Sequence, residues 1–223
     1  LPGPGRGRGA LRLPRRGAAG SAVAFARDLD GAPVAGPTPV FAVDTESAAA
    51  RPLGAGYATI TGNSSNCDVA LADDAFTVAP ASRQAIAMTC HNASIVVAPD
   101  ATSVVAGWNC DNDAVWTTGG DPTMTLPPYR AVYGDGTDSA SNPRLATTSA
   151  GVWFGFQVTG GRLGRALLRA DAQPVVGGEA AIVVTSADLR AYDLATHGAH
   201  AFLFWLEVDA ATTALWAMRL CPP

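Results

Sequence analysis

The 223-residue chain contains no Lys; its fifteen Lys+Arg positions are all Arg. It holds only three Glu (Glu46, Glu179 and Glu207) and three His, so material for an acid–base site is scarce. No apolar run approaches the roughly 18 residues of a membrane-spanning helix, which excludes a helical span. The Gly-x-Ser-x-Gly elbow of one large class of serine hydrolases is missing, and so is any Cys-x-x-Cys pair of the kind that holds zinc. No segment shows convincing helical periodicity. Lack of Lys beside abundant Ala and Arg reads as codon bias in a GC-rich genome, not as a functional device.

What remains is apolar and rich in turn residues: 48% hydrophobic, 15% charged, 24 Gly and 16 Pro. Such a chain buries a sizeable core and is not intrinsically disordered. The formal charge is -4, yet five Arg fall within the first sixteen residues. Residues 17–223 carry ten Arg against nineteen acids, a net of -9, a field that repels phosphate backbones and argues against a nucleic-acid partner. Residues 1–9 (LPGPGRGRG) have no apolar stretch of the signal-peptide kind and read as a flexible Gly/Pro/Arg leader.

A repeat organises the rest. Residues 93–118, 143–168 and 189–220 share one layout: apolar strand, small-residue turn, aromatic-rich strand, polar turn, apolar strand. The aromatic of the second strand recurs at Trp108, Phe156 and Trp205, spacings of 48 and 49. Further strand-like runs follow at 39–43, 84–88, 129–133 and 181–185. Looser copies occupy residues 11–35 and 51–72. Four short strands in about 48 residues is the pattern of a β-propeller blade; a β-sandwich does not explain the period. The expected fold is all-β and propeller-like, about four to five four-stranded antiparallel blades with the last incomplete. The expected units are approximately 10–45, 46–90, 91–140, 141–187 and 188–223, forming one domain. At this period the fifth unit stops after its third strand, so an open arc or a piece of a longer chain is expected. The aromatic stripe is read as core and not as a ligand platform.

The segment PRLATTSAGVWFGFQVTGGRLGRALLRADAQPVV resembles the blade repeats of secreted, uncharacterised bacterial β-propeller-like proteins, best over residues 143–220. The resemblance implies architecture and carries no catalytic residues with it.

Four Cys allow three pairings of two disulfides. Residues facing each other across the turn Pro99-Asp100-Ala101-Thr102 sum to 200 or 201, and Cys90 with Cys110 sums to 200, which makes them the first expected disulfide. Cys67 with Cys90 is the alternative, because a third strand starts beside the end of the fourth in one blade. Cys221 has no evident partner. Disulfides imply an oxidising, extracytoplasmic compartment, whether secreted, periplasmic or on the cell surface. Asn63 and Asn92 head Asn-x-Ser sequons.

Candidate chemistry is sparse. His197 and His200 form the most site-like pair, expected on opposite strand faces, with Asp193 or Glu207 to orient one as a general base. Asp121, Asp135 and Asp138 supply oxygen ligands that a calcium ion would accept, although turn-making is the simpler reading. Residues 111–116 (DNDAVW) partly match the Asp-box, a turn motif of sialidases, without its Ser and Gly. No other cofactor is implied. These features favour a noncatalytic domain over an enzyme, one that binds a protein or glycan partner through its blade loops. The alternatives are a propeller-based hydrolase with a rim site near His197 and His200, and a structural fragment of a longer secreted protein.

Overall fold

β-branched and aromatic runs punctuated by Gly, Asp, Asn and Pro fold into hairpins, and the computed structural model of the chain is built from them. It describes residues 47–110, 114–134 and 138–223, together with the backbone of three strands near the N-terminus. The first sheet comprises β1 (Gly9–Arg12), β2 (Val23–Arg27) and β3 (Pro33–Pro39). The second holds β4 (Ser47–Leu53), β5 (Gly56–Gly62), β6 (Cys67–Ala72) and β7 (Gln84–Ala87). β8 (His91–Val97), β9 (Val104–Asn109), β10 (Val115–Gly120) and β11 (Arg130–Tyr133) form the third. The fourth is β12 (Ala140–Thr148), β13 (Gly151–Val158), β14 (Arg162–Leu168) and β15 (Ala181–Thr185). The fifth has three strands: β16 (Leu189–His197), β17 (His200–Val208) and β18 (Thr213–Leu220).

Every sheet is an antiparallel meander in which chain order is spatial order. The first strands pack side by side: β4 lies against both β1 and β8, and β12 against both β8 and β16. Sheets that meet at their first strands and splay outward are the blades of a propeller, so the all-β, propeller-like expectation holds. Three sheets have four strands and, among the described residues, the fifth has three. Of the run expected at 39–43, residues 40–43 lie outside the described residues.

The core sits between blades. One cluster joins Ile60 and Val69 of the second sheet to Ile95 and Trp108 of the third. Another joins Val96 and Val105 to Phe154 and Phe156; a third joins Trp153 and Leu167 to Tyr192 and Leu203. Trp108 and Phe156 are fully buried, as a stripe shared by both sheet faces requires, while Trp205 packs half-buried against the last cluster. Gly164 leaves the space that the Phe156 ring fills; a Cβ there would run into the ring.

Two repeated devices set the blade geometry. Asp73, Asp121 and Asp171, spaced by 48 and 50 residues, each open the link from third to fourth strand with an Asx turn. Their carboxylates accept the amides of Ala75 and Thr77, of Thr123, and of Gln173. In the inner strands, Asn92 and Asn142 take positive φ (50° and 51°) inside bulges. Asn92 Nδ2 donates to Asn109 Oδ1 at 3.0 Å, and Asn142 Nδ2 to Gln157 Oε1 at 3.2 Å.

The disulfide joins Cys67 to Cys90, not Cys90 to Cys110. Cys90 N–H donates to the Asn63 carbonyl at 2.9 Å, which seats the residue at the end of β5. Gly62, the cross-strand partner of Cys67, leaves the room that the Cys90 side chain occupies. Hairpin arithmetic does place Cys110 beside this segment, where its thiol donates to the Thr89 carbonyl at 3.3 Å. A sheet-to-sheet neighbour outcompeted the hairpin partner. Cys110 and Cys221 are free thiols.

Candidate active site in the axial cavity

Where the inner strands converge they leave a cavity of about 450 Å³, within the roughly 300–1,000 Å³ usual for small-ligand sites. Its walls are Arg51 and Pro52 of β4, Val96 and Val97 of β8, residues 145–147 of β12 and residues 194–196 of β16. All lie toward the C-terminal ends of the inner strands, beside the first hairpin turn of each blade. Two of those turns are two residues long and begin on glycines in the left-handed region, Gly54 (φ 57°) and Gly198 (φ 59°). Short turns hold the wall residues close to the mouth.

Three charged side chains gather here. Arg144 Nε lies 3.8 Å from Asp193 Oδ1, and Asp193 Oδ1 also accepts the Leu194 amide at 2.9 Å. Arg144 donates a second contact to the Pro143 carbonyl at 3.0 Å. Arg51 donates to the Ala50 carbonyl at 2.8 Å; its side chain reaches solvent, but the protein packed around it desolvates it in part and lowers its pKa, and the nearby Asp193 charge opposes that shift. Beside them Tyr192 is buried with its hydroxyl bonded to the Asn142 carbonyl, and burial pushes the phenol well above its ordinary value, so it stays neutral.

The structure makes His197 and His200 hairpin partners across the Gly198-Ala199 turn, beyond Thr196, the last residue of β16 in the cavity wall. Cross-strand partners share a face, so the expectation of opposite faces fails: the two residues lie on two strands and not on one. Both are exposed. His200 Nδ1 lies 3.0 Å from Arg219 Nη2; Arg only donates, so Nδ1 is the acceptor and the ring proton is on Nε2. Asp193 is four strand residues from His197, about 13 Å, and does not orient it. Glu207 sits at the far end of β17, held by the hydroxyl of Ser186 and the indoles of Trp205 and Trp216, which lower its pKa. It orients neither His.

The proposed calcium ligands are otherwise engaged. Asp121 caps its own turn through the Thr123 hydroxyl and amide, which lower its pKa. Asp138 pairs with Arg162 at 2.6 Å and accepts from Tyr133 at 3.4 Å. Asp135 lies outside the described residues, as do Asp111 and Asp113 of the partial Asp-box and Glu46. Among the described residues no three His, Cys, Asp or Glu converge as a metal site would need.

Arg51 and Arg144 were not legible as site residues. One signal existed: Arg144 and Asp193 are 49 residues apart, one blade repeat, and so occupy equivalent inner-strand positions in consecutive blades.

A propeller of radial antiparallel blades around an axial cavity is what the fold and site define. No family model matches the chain, and no curated protein matches it. Solved structures do. A structure described as a GH43 glycoside hydrolase, engineered to display both endo-xylanase and exo-arabinofuranosidase activity, matches at TM-score 0.50 and 11% identity, over 90% of this chain and 45% of its own. A GH43 β-1,3-galactosidase matches at 0.48 and 11%, over 83% of this chain and 43% of its own. An exo-1,5-α-L-arabinanase from a bovine ruminal metagenomic library matches at 0.46 and 7%, over 89% and 86%. This chain thus spans less than half the length of the first two. At such identities the likeness is one of fold.

The expectation of a noncatalytic domain binding through its blade loops is corrected at this point. The structural neighbours are glycoside hydrolases, and the concave feature lies on the axis between inner strands, with charged groups beside it.

Proposed function

We propose that the chain is an extracytoplasmic propeller hydrolase acting on glycosidic bonds, with the end of its glycan substrate held in the axial cavity. The observation that carries this reading is the cavity itself, with an acid, Asp193, directly preceding Leu194 of its wall and a neighbouring blade's Arg144 3.8 Å from that acid. Asp193 is the only carboxylate on β4, β8, β12 and β16, and its role is proton transfer at the glycosidic oxygen or to the attacking water. The common routes use two carboxyl groups, about 5–5.5 Å apart for retention and about 6.5–9.5 Å for inversion. Asp44 and Glu46, which directly precede β4 in the sequence, are the acids to test as the second group; they lie outside the described residues. His197, His200 and Arg219 cluster at the hairpin end of the fifth blade, past the cavity wall, and their role is to meet substrate beyond the scissile bond.

The Cys67–Cys90 disulfide supports an oxidising compartment, in keeping with the resemblance to secreted bacterial propeller proteins. Among the described residues no helix is long and apolar enough to cross a membrane.

The test is release of reducing sugar from a panel beginning with xylan, arabinan and β-1,3-galactoside substrates, which correspond to the activities named for the structural neighbours. The chain cleaves a member of the panel, and Asp193→Asn lowers that rate by about 10²–10⁴-fold, the usual worth of a general acid or base. Asp44→Asn and Glu46→Gln identify the second carboxyl. Cleavage at an unchanged rate in Asp193→Asn removes Asp193 from the chemistry.

A further inference from the structure

We infer that the axial cavity selects an acidic sugar, a uronate whose carboxylate pairs with Arg51. The fate of that ligand rests on the hydrolase reading above; its binding does not.

Arg51 is the one charged side chain among the cavity's lining residues. The remaining lining is aliphatic apart from Thr147 and Thr196, and the Thr147 hydroxyl is already committed to the Val97 carbonyl at 2.6 Å. A guanidinium offers five donors, and Arg51 uses one on the Ala50 carbonyl. Among the described residues no carboxylate lies within ion-pair distance of it. Asp193 acts on it only from farther away and is itself engaged by Arg144 and the Leu194 amide. Among the described residues two guanidiniums stand against one carboxylate at this end of the axis, a positive balance in a chain whose net charge is -4. A local field opposite in sign to the whole molecule draws an anion to the cavity.

Selectivity follows from desolvation. A pyranose ring that fills the cavity lays its C–H faces on Val96, Leu145 and Leu194 and displaces water from Arg51. A uronate replaces that water with a charge-assisted, bidentate contact. A neutral sugar with a hydroxymethyl in the same place leaves the guanidinium desolvated and underpaired, which costs more than the missing bond alone.

The experiment measures binding of methyl β-D-glucuronide and methyl β-D-glucoside to the full chain by calorimetry at fixed salt and neutral pH, beside an assay of p-nitrophenyl β-D-glucuronide and β-D-glucoside cleavage. The glucuronide binds more tightly by about tenfold or more, the worth of one charge-assisted bond. Arg51→Gln removes the preference, Arg51→Lys keeps part of it, and Asp193→Asn strengthens glucuronide binding by removing a repelling charge. Thermal melts of Arg51→Gln match the parent, because the side chain is exposed at the mouth. Equal affinities, or a preference that survives Arg51→Gln, overturn the inference. Cleavage of both p-nitrophenyl substrates with no acid preference overturns it and leaves the hydrolase reading standing. Glucuronide binding with no cleavage of any glycoside overturns the hydrolase reading and leaves this one.

Discussion

Arg144 and Asp193 occupy equivalent positions in consecutive inner strands, 49 residues apart, and meet at 3.8 Å beside the axial cavity. Both side chains are well exposed, at 41% and 74%, so the pair contributes only about 0–1 kcal/mol to stability. Its value is positional. Arg144→Gln therefore leaves the urea midpoint nearly unchanged while lowering glycoside turnover, and Arg144→Lys restores part of that turnover. A large fall in stability with unchanged turnover makes the pair structural instead.

Gly164 and Phe156 are cross-strand partners, and the Phe156 ring lies over the glycine. Gly164→Ala forces the ring out of its place between blades and costs about 1–3 kcal/mol, as overpacking does. Phe156→Ala leaves a cavity in the same core and costs about 3–5 kcal/mol. Chemical denaturation of both variants measures the two costs; a neutral Gly164→Ala contradicts the packing described.

Non-reducing peptide mapping should find Cys67 linked to Cys90, with Cys110 and Cys221 as thiols. The bridged residues are 23 apart, so its loss through Cys67→Ala or reduction costs about 3 kcal/mol in the chain-entropy view. A Cys90–Cys110 peptide in the native protein contradicts the seating of Cys90 against Gly62.

Asp68, buried at the start of β6, gives a pH dependence of defined sign. Burial raises its carboxyl pKa, and Arg83, 3.6 Å away, offsets this in part. The folded chain thus holds that proton to higher pH than the unfolded chain, whose value is near 3.8. Stability from this group is full below that value and is lost as pH rises through the folded pKa. Asp68→Asn is accordingly more stable than the parent at neutral pH, and the gap closes in acid. Asp209 in the β17–β18 turn runs the other way: the Ala211 and Thr212 amides lower its pKa, so its contribution is present at neutral pH and fades as pH falls. Urea unfolding at about pH 3 and pH 7 measures both; a gap for Asp68→Asn that widens in acid reverses the assignment.

The blades were legible because their causes are local. Period-matched aromatics at Trp108 and Phe156 must be buried on both faces, and turn residues mark each strand end, so strand types and order follow from short windows. Inner-strand bulges at Asn92 and Asn142 went unread because positive φ at Asn leaves no trace in hydrophobic pattern. The disulfide was misassigned for a related reason: hairpin register is local arithmetic, whereas the Cys90 position against Gly62 and Cys67 depends on the path between sheets. The cavity was hidden most completely. It takes a few residues from each blade, Arg51, Val96, Leu145 and Leu194, and no contiguous motif unites them. His197 and His200 stood out only because they are three residues apart in sequence, and neither lines the wall.

Soaking crystals of the chain with a bound glycan fragment, the glucuronide first, locates the site. Density for the sugar between β4, β8, β12 and β16, its carboxylate on Arg51 and its anomeric oxygen toward Asp193, is the predicted result. Density confined to the outer blade loops, with the axial cavity holding only water, contradicts an axial active site.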